Sequence, residues 1–524
     1  MDTSALIDGL KNPNAYPHPV DKIELMETHI SWVLLTGPYA YKIKKPMNFG
    51  FLDFSSLDKR EFFCAEEIRL NRRFAPELYL DSVAITLEDG QPRLGGAGDA
   101  VEYAVRMTQF DHQRTLDILA GKGELNADDI REIGTNLASF HQDLAKETAP
   151  ASDLDPQPGT PAAVWAPIEE NFDQINPLLE RTQEITKVKA VSDWSAEQFR
   201  QLEPLIADRY AQGFVRECHG DLHLGNMVQL GEGVTQRVCF FDSIEFNQSF
   251  RQIDIACELA FTVMDLEARQ MPEAANSLLN TYLEQGGDFA GLALVNFYKV
   301  YFAIVRAKVN LLQIAHLTPS EIAEHANYAN FSMYLDLAHS YSAQAKPFVA
   351  ITSGLSGSGK STAAREIAAA TGAIVLRSDV ERKRLFGLAP DAPSDKSIYS
   401  AQASTDTFAR LQALVTQVTA AGLPCIVDAT FLQTQLRQQF QQQARDLQLP
   451  FHILQCSAPD AVMAERLNAR EAAATDASEA TVAVMRDQQG IEEALSAEEE
   501  RVAIAIDTTA TLPLADISAR LGAI

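Results

Sequence analysis

Gly354-Leu-Ser-Gly-Ser-Gly-Lys360-Ser361 satisfies the pattern GxxxxGK[ST] at every fixed position. The residues around it supply the required context. An apolar run, Phe348 to Ser353, precedes Gly354 and reads as a strand, and a helix-forming run, Ala363 to Ala370, follows Ser361. Glycines let such a loop wrap tightly enough for its backbone N–H groups to face a phosphate chain. The helix N-terminus adds positive potential at the same point. Gly354, Ser356, Gly357, Ser358, Gly359, Lys360, Ser361 and Thr362 therefore form the expected nucleotide cradle. Lys360 is expected at the β- and γ-phosphates and Ser361 at Mg²⁺.

Downstream, strand-like and helix-like runs alternate. Ala373–Ser378, Pro424–Asp428, Phe451–Cys456 and Val502–Asp507 read as strands, with helices from Ser404, near Leu432 and from Pro459 between them. This order predicts a parallel five-stranded sheet with helices on both faces. Ligands of such sheets bind at the carboxyl ends of strands. Asp379 and Asp428 are expected there, one to take a proton from a substrate hydroxyl and the other to hold Mg²⁺. Strand-end carboxylates also cap helices, which is the plainer alternative. Arg466 and Arg470, four apart, share a helix face and lead into a small-residue stretch, Ala472 to Ala480, expected to act as a lid.

Together, Gly354–Ser361, Asp379 with Arg382, Asp428-Ala-Thr and the lid arginines resemble the P-loop kinases related to gluconate kinases, polynucleotide 5′-hydroxyl kinases and zeta toxins. The resemblance implies ATP as phosphoryl donor and Asp379 as the group that meets the acceptor hydroxyl. It spans the chain from about Lys346 onward.

A second constellation lies upstream. His219-Gly-Asp221-Leu-His223-Leu-Gly-Asn226 is followed by Phe240-Phe-Asp242. An Asp and an Asn five apart in a loop, then an Asp after an apolar strand, is a pattern used in phosphoryl transfer. It resembles the aminoglycoside and choline phosphotransferases. That resemblance implies Asp221 as catalytic base and Asn226 and Asp242 as metal ligands. It also implies a strand lysine, Lys42 or its same-face neighbour Lys44, positioned by Glu67 or Glu66, and an adenine-reading segment from Val105 to Gln109. Two departures from protein kinases stand out: only Thr36-Gly37-Pro38 precedes the lysines, and Asp242-Ser-Ile replaces Asp-Phe-Gly. His219 is expected to be a structural loop histidine rather than a zinc ligand.

The expected architecture is thus a chain of two domains. An α+β protein-kinase-like fold has a small β-rich lobe (1–110) and a helical lobe (111–343), and an α/β P-loop domain (346–524) follows. Pro150 to Pro167 reads as a loop, Glu321 to Tyr341 as one long helix, and Ala343 to Pro347 as a linker.

Net charge is −27, of which the residues before Lys346 carry −22 and the rest −5. So acidic a surface argues against nucleic-acid partners. The 6 scattered cysteines form no CxxC pair and fit a reducing, cytoplasmic setting. The start of the sequence has no basic, apolar leader pattern, and no uncharged apolar stretch is long enough for a bilayer. The expectation is a bifunctional kinase that uses ATP and Mg²⁺ on small hydroxylated molecules. Two alternatives are that one module is a nucleotide sensor for the other, or that the P-loop module is a toxin-like or 5′-hydroxyl kinase.

Overall fold

The computed structural model describes residues 3–146, 154–179, 182–343, 346–473 and 476–522. They form two compact units. One is built chiefly from residues 3–129 and 206–262, and the other from 130–146, 165–205 and 263–522. Residues 344–345 of the expected linker and 150–153 of the expected loop lie outside the described residues.

In the first unit, six strands form an antiparallel sheet: β1 (Glu24–Glu27), β2 (Ser31–Leu35), β3 (Tyr39–Lys44), β4 (Tyr79–Glu88), β5 (Gln91–Leu94) and β6 (Glu102–Thr108). Their spatial order is β1-β2-β3-β6-β4-β5. The alternation of Tyr39, Tyr41 and Ile43 with Ala40, Lys42 and Lys44 sorts β3 onto two faces. Tyr41 and Ile43 enter one core with Leu34, Ile85 and Ala104. Ala40 faces the other, with Cys64 and Ile68 from the helix Leu57–Asn71. That helix starts earlier than Arg60 because Ser56 caps it, its side chain accepting from the Lys59 N–H. β4 is the longest strand and has no clean period in the sequence, because a bulge at Tyr79/Asp81 shifts its register against β6. Two short antiparallel pairs complete this unit, β7 (Val215–Glu217) with β10 (Gln252–Asp254), and β8 (Met227–Leu230) with β9 (Arg237–Phe240). The topology is that of a kinase-like fold.

The second unit holds the all-parallel sheet: β11 (Val349–Ser353), β12 (Ile374–Arg377), β13 (Cys425–Asp428), β14 (Phe451–Ser457) and β15 (Ala503–Asp507), in the order β12-β13-β11-β14-β15. β11 and β13 are buried along their whole length, as strands covered on both faces must be. On one face Ala363, Ala364, Ile367 and Ala368 of the helix Lys360–Thr371, with Ile517 and Leu521, pack on Ala350, Ile426, Leu454, Ile504 and Ile506. Each fully buried Ile or Leu there contributes roughly 1.5–3 kcal/mol. On the other face, Phe431 meets Phe408 and Phe440 edge to face.

Three sequence readings are corrected. Residues 161–167 are not loop: a helix runs Pro161–Ile175, with Pro161 in the first turn, where a missing N–H costs nothing, and Pro167 accommodated inside it. Glu321 to Tyr341 is not one helix. His325 is extended and divides Pro319–Glu324 from Ala326–Tyr341, its side chain capping the second by accepting from the Asn327 N–H. Asp379 does not end a strand. β12 stops at Arg377, and Asp379 lies in the first turn of the helix Ser378–Leu385, where a carboxylate suits the helix dipole. Among the described residues no helix is long and apolar enough to cross a membrane.

Arg437 anchors one side of the parallel sheet. It is 1% exposed, pairs with Glu499 at 2.7 Å and donates to the carbonyls of Phe431 and Leu432. Replacing it with Ala strands the Glu499 carboxylate. Arg437→Ala is expected to lower the stability of the second unit by about 3–5 kcal/mol, read as a shift in the midpoint of its urea unfolding transition.

Candidate functional site

The loop between β11 and the helix Lys360–Thr371 is shaped by its glycines. Gly354 (φ 143°) and Gly359 (φ 84°) adopt left-handed conformations. A Cβ on Gly354 would fall 2.3 Å from the Cys456 carbonyl, and one on Gly359 would fall 2.8 Å from Thr508. Neither position tolerates a side chain, so the backbone itself forms the cradle wall. Among the described residues, the buried Ser358 hydroxyl has no hydrogen-bond partner. Lys360 is 8% exposed and its ammonium donates to the Leu355 carbonyl at 2.7 Å. Burial lowers its pKa, opposed by the negative charges of Asp428 and Asp379. Among the described residues, no carboxylate lies within ion-pair distance of it. A cradle of amides with an unpaired hydroxyl and an under-compensated ammonium fits a phosphate chain.

A cleft of about 1480 Å³ opens over this loop. Gly357, Lys360, Ser361 and Thr362 line it, and so do Asp379, Arg382, Asp428, Arg466 and Arg470. Burial pushes the Asp379 carboxyl up, against a hydrogen bond from Ser478 and the charge of Arg377. A carboxyl so shifted is suited to accepting a proton. Asp428, at the end of β13, has Thr352 Oγ1 3.4 Å from one oxygen and Arg377 Nε 3.7 Å from the other. Neither contact is a tight bond, so this carboxylate stands open to a cation. With the Ser361 hydroxyl it offers the hard oxygen donors that Mg²⁺ takes. Arg466 donates to Thr508 Oγ1 at 2.9 Å and to the Gly357 carbonyl at 3.4 Å, and Arg470 donates to the Ala480 carbonyl at 2.9 Å. Arg466 is thus tied to the loop and Arg470 to the expected lid, of which residues 474–475 lie outside the described residues.

The first unit gathers its own set. The β8–β9 hairpin pairs Met227 with Phe240, and the Phe241 N–H donates to the Asn226 carbonyl, so Asn226 and Asp242 flank one hairpin end. The Asn226 amide nitrogen donates to the carbonyl and carboxylate of Asp221 at 2.9 and 3.0 Å. That leaves the Asn226 amide oxygen and the Asp242 carboxylate as an oxygen donor pair of the kind Mg²⁺ takes. Asp242 is left-handed (φ 63°), and its N–H donates to the buried Tyr79 hydroxyl. The Lys42 ammonium bonds both Asp242 and, at 2.9 Å, Glu67. Burial pulls its pKa down, but Asp242 and Glu67 outweigh that and hold it well above the usual lysine range. Lys44, the same-face rival, is fully buried and bonds Glu67 at 2.6 Å and also Glu245. Glu66 instead pairs with Arg69 and Arg251. His219 is buried, with Nε2 2.9 Å from the Phe241 carbonyl, and burial lowers its pKa, which keeps it neutral.

Sequence reasoning missed several residues. Glu258 accepts from the His219 and Gly220 N–H groups and so holds the Asp221 loop. It comes from the helix Ile255–Ala268, and no local pattern marks it. Arg377, last in β12, reaches Asp428, Asp476 and Glu284. Its place at a strand's carboxyl end was the available signal. Gln488 accepts from the Ser356 N–H at 2.8 Å, from a helix more than a hundred residues downstream.

Residues 349–494 match the family model described as an AAA domain. Over 483 residues the chain is 28% identical to an uncharacterized protein of Mycobacterium tuberculosis, covering 90% of this chain and 92% of that one. Among solved structures, a gluconokinase from Sinorhizobium meliloti covers 34% of this chain and 92% of its own at 21% identity and a TM-score of 0.24. A choline/ethanolamine kinase family protein from Mesorhizobium loti covers 64% of this chain and 98% of its own at 13% identity and a TM-score of 0.35.

The shared carboxylate Glu67 sets a pH dependence. Burial raises its pKa, but Lys42 and Lys44 overcome this and bring it from 4.5 down to about 2. A depressed carboxyl stabilises the fold above its unfolded pKa and loses that contribution as pH falls through the folded one. Glu67→Gln is therefore expected to cost roughly 3 kcal/mol at neutral pH. The gap to wild type should narrow as pH drops from 4.5 toward 2, followed by urea midpoints at each pH.

Proposed function

We propose that this chain is an ATP-dependent phosphotransferase with two nucleotide sites, each passing the γ-phosphoryl group to the hydroxyl of a small molecule. The observation that carries this reading is the cleft over Gly354–Ser361, where Lys360, Asp379, Asp428, Arg466 and Arg470 line one cavity. In it, the loop amides and Lys360 bind the phosphates, while Ser361 and Asp428 hold Mg²⁺. Asp379 accepts the proton of the attacking hydroxyl, its raised pKa matching that task. Arg466 and Arg470 offset the charge that develops on the transferred group. Bound Mg²⁺ supplies further charge neutralisation at the phosphates.

The kinase-like region, taken as residues 1–343, has parallel roles. Lys42 holds the phosphates and Glu67 positions it. Asp221 serves as base, and Asn226 and Asp242 hold the metal. Lys44 is assigned to the buried ion set with Glu67 and Glu245, since it is fully enclosed whereas Lys42 reaches Asp242. A cytoplasmic location and small-molecule rather than nucleic-acid acceptors go with this reading.

Sugars, nucleosides and aminoglycosides screened for phosphoryl transfer provide the test. Asp221→Ala is expected to lower one acceptor-dependent activity, and Lys360→Ala a different one, each by about 10²- to 10⁴-fold. If neither substitution changes ATP consumption with any acceptor, the reading fails.

A further inference from the structure

The helix Pro272–Gly286 lies outside the parallel sheet, yet it is built onto β12. Asn276 and Asn280 donate to the Ala373 carbonyl at 3.0 Å each, and the Asn280 side-chain oxygen accepts from the Val375 N–H at 2.7 Å. At its C-terminal end, Arg384 donates to the carbonyls of Leu283 and Glu284. The same end delivers Glu284 to the cleft-lining Arg377, Oε1 to Nη1, at 2.5 Å.

Arg377 is 6% exposed and divides its guanidinium among three carboxylates. Nη1 takes Glu284, Nη2 takes Asp476 at 2.7 Å, and Nε stays 3.7 Å from Asp428 with no hydrogen-bond partner among the described residues. β12 and β13 pair Arg377 directly with Asp428, so the guanidinium is the cation best placed to capture that carboxylate. A closed Arg377–Asp428 pair would compete with a metal ion for the same oxygen. Glu284, together with Asp476, pulls the guanidinium the other way.

We propose that Glu284 is a positioning residue of the P-loop site, tethering Arg377 so that Asp428 stays free to take Mg²⁺. The inference rests on the reading of Asp428 as the metal carboxylate. It makes a helix outside the nucleotide-binding sheet part of that site's metal affinity.

The test uses the full chain with Asp242→Asn, which silences the first unit's metal position. Binding of a fluorescent ATP analogue is titrated with Mg²⁺ and repeated in EDTA. Glu284→Gln keeps the shape and removes the charge. It is expected to raise the Mg²⁺ concentration for half-maximal binding by about 3- to 10-fold while leaving metal-free binding unchanged. Adding Arg377→Met removes the competing cation and is expected to return the Mg²⁺ requirement to the starting value or below. A merely structural Glu284 would not be rescued this way. The proposal is overturned if Glu284→Gln leaves the Mg²⁺ requirement unmoved, or if its effect persists in the double variant. Asp428→Asn separates the two layers: if it too leaves the Mg²⁺ dependence unchanged, the metal reading of Asp428 fails with the tether. If it alone shifts the dependence, only the tether fails.

Discussion

Lys42, Lys44 and Lys360 each carry an ammonium group out of water, and the surrounding side chains are arranged around the cost of doing so. A buried cation persists when it is paired or hydrogen-bonded. The two units meet that requirement in opposite ways. In the first, Glu67 stands between Lys42 and Lys44, while Asp242 and Glu245 close the outer ends. The five groups fix one another, and this network fastens the helix Leu57–Asn71 and the Asp242 turn to β3. In the second, the one hydrogen bond of the Lys360 ammonium among the described residues goes to a carbonyl of its own loop, and carboxylates act on it through space. Its charge is under-compensated and favours the arrival of an anion. One arrangement is pre-set, and the other is completed by what it binds.

This contrast explains how much could be read from the sequence. The P-loop was legible because its chemistry is local: glycines, Lys360 and Ser361 are consecutive, and backbone strain confines the residue types. The strand ends were legible because buried parallel strands leave apolar runs, so Asp428 could be placed directly. Asp379 was displaced by one structural step, since β12 gives way to a helix without any glycine or proline to mark the change. For the kinase-like region, the hairpin that brings Asn226 beside Asp242 follows from its short strands. Lys42 and Lys44 were not distinguished there, because both lie on one face of β3, and their differing contacts, Asp242 for one and Glu245 for the other, come from a distant segment. Glu258, Gln488 and Glu284 were invisible for a common reason. Each contributes a single side chain from a helix whose own pattern is ordinary, and its meaning lies in the distant backbone or guanidinium it meets.

The helical region between the two recognised constellations also proves less neutral than its composition suggests. Its helix Pro272–Gly286 falls within the same compact unit as the parallel sheet and supplies side chains to β12. Residues that read as the back of one module therefore take part in the framework of the other.

β12 is an outermost strand of its sheet. A bare outer strand offers a row of unpaired amides and carbonyls that recruits strands from other molecules. Here the side chains of Asn276 and Asn280 occupy that row at Ala373 and Val375, with asparagine amides standing in for the peptide groups of a sixth strand. The ladder is ended by side-chain mimicry. A fragment cut to begin at β11 would keep its nucleotide loop but lose this seal, and the first property to suffer would be its solubility.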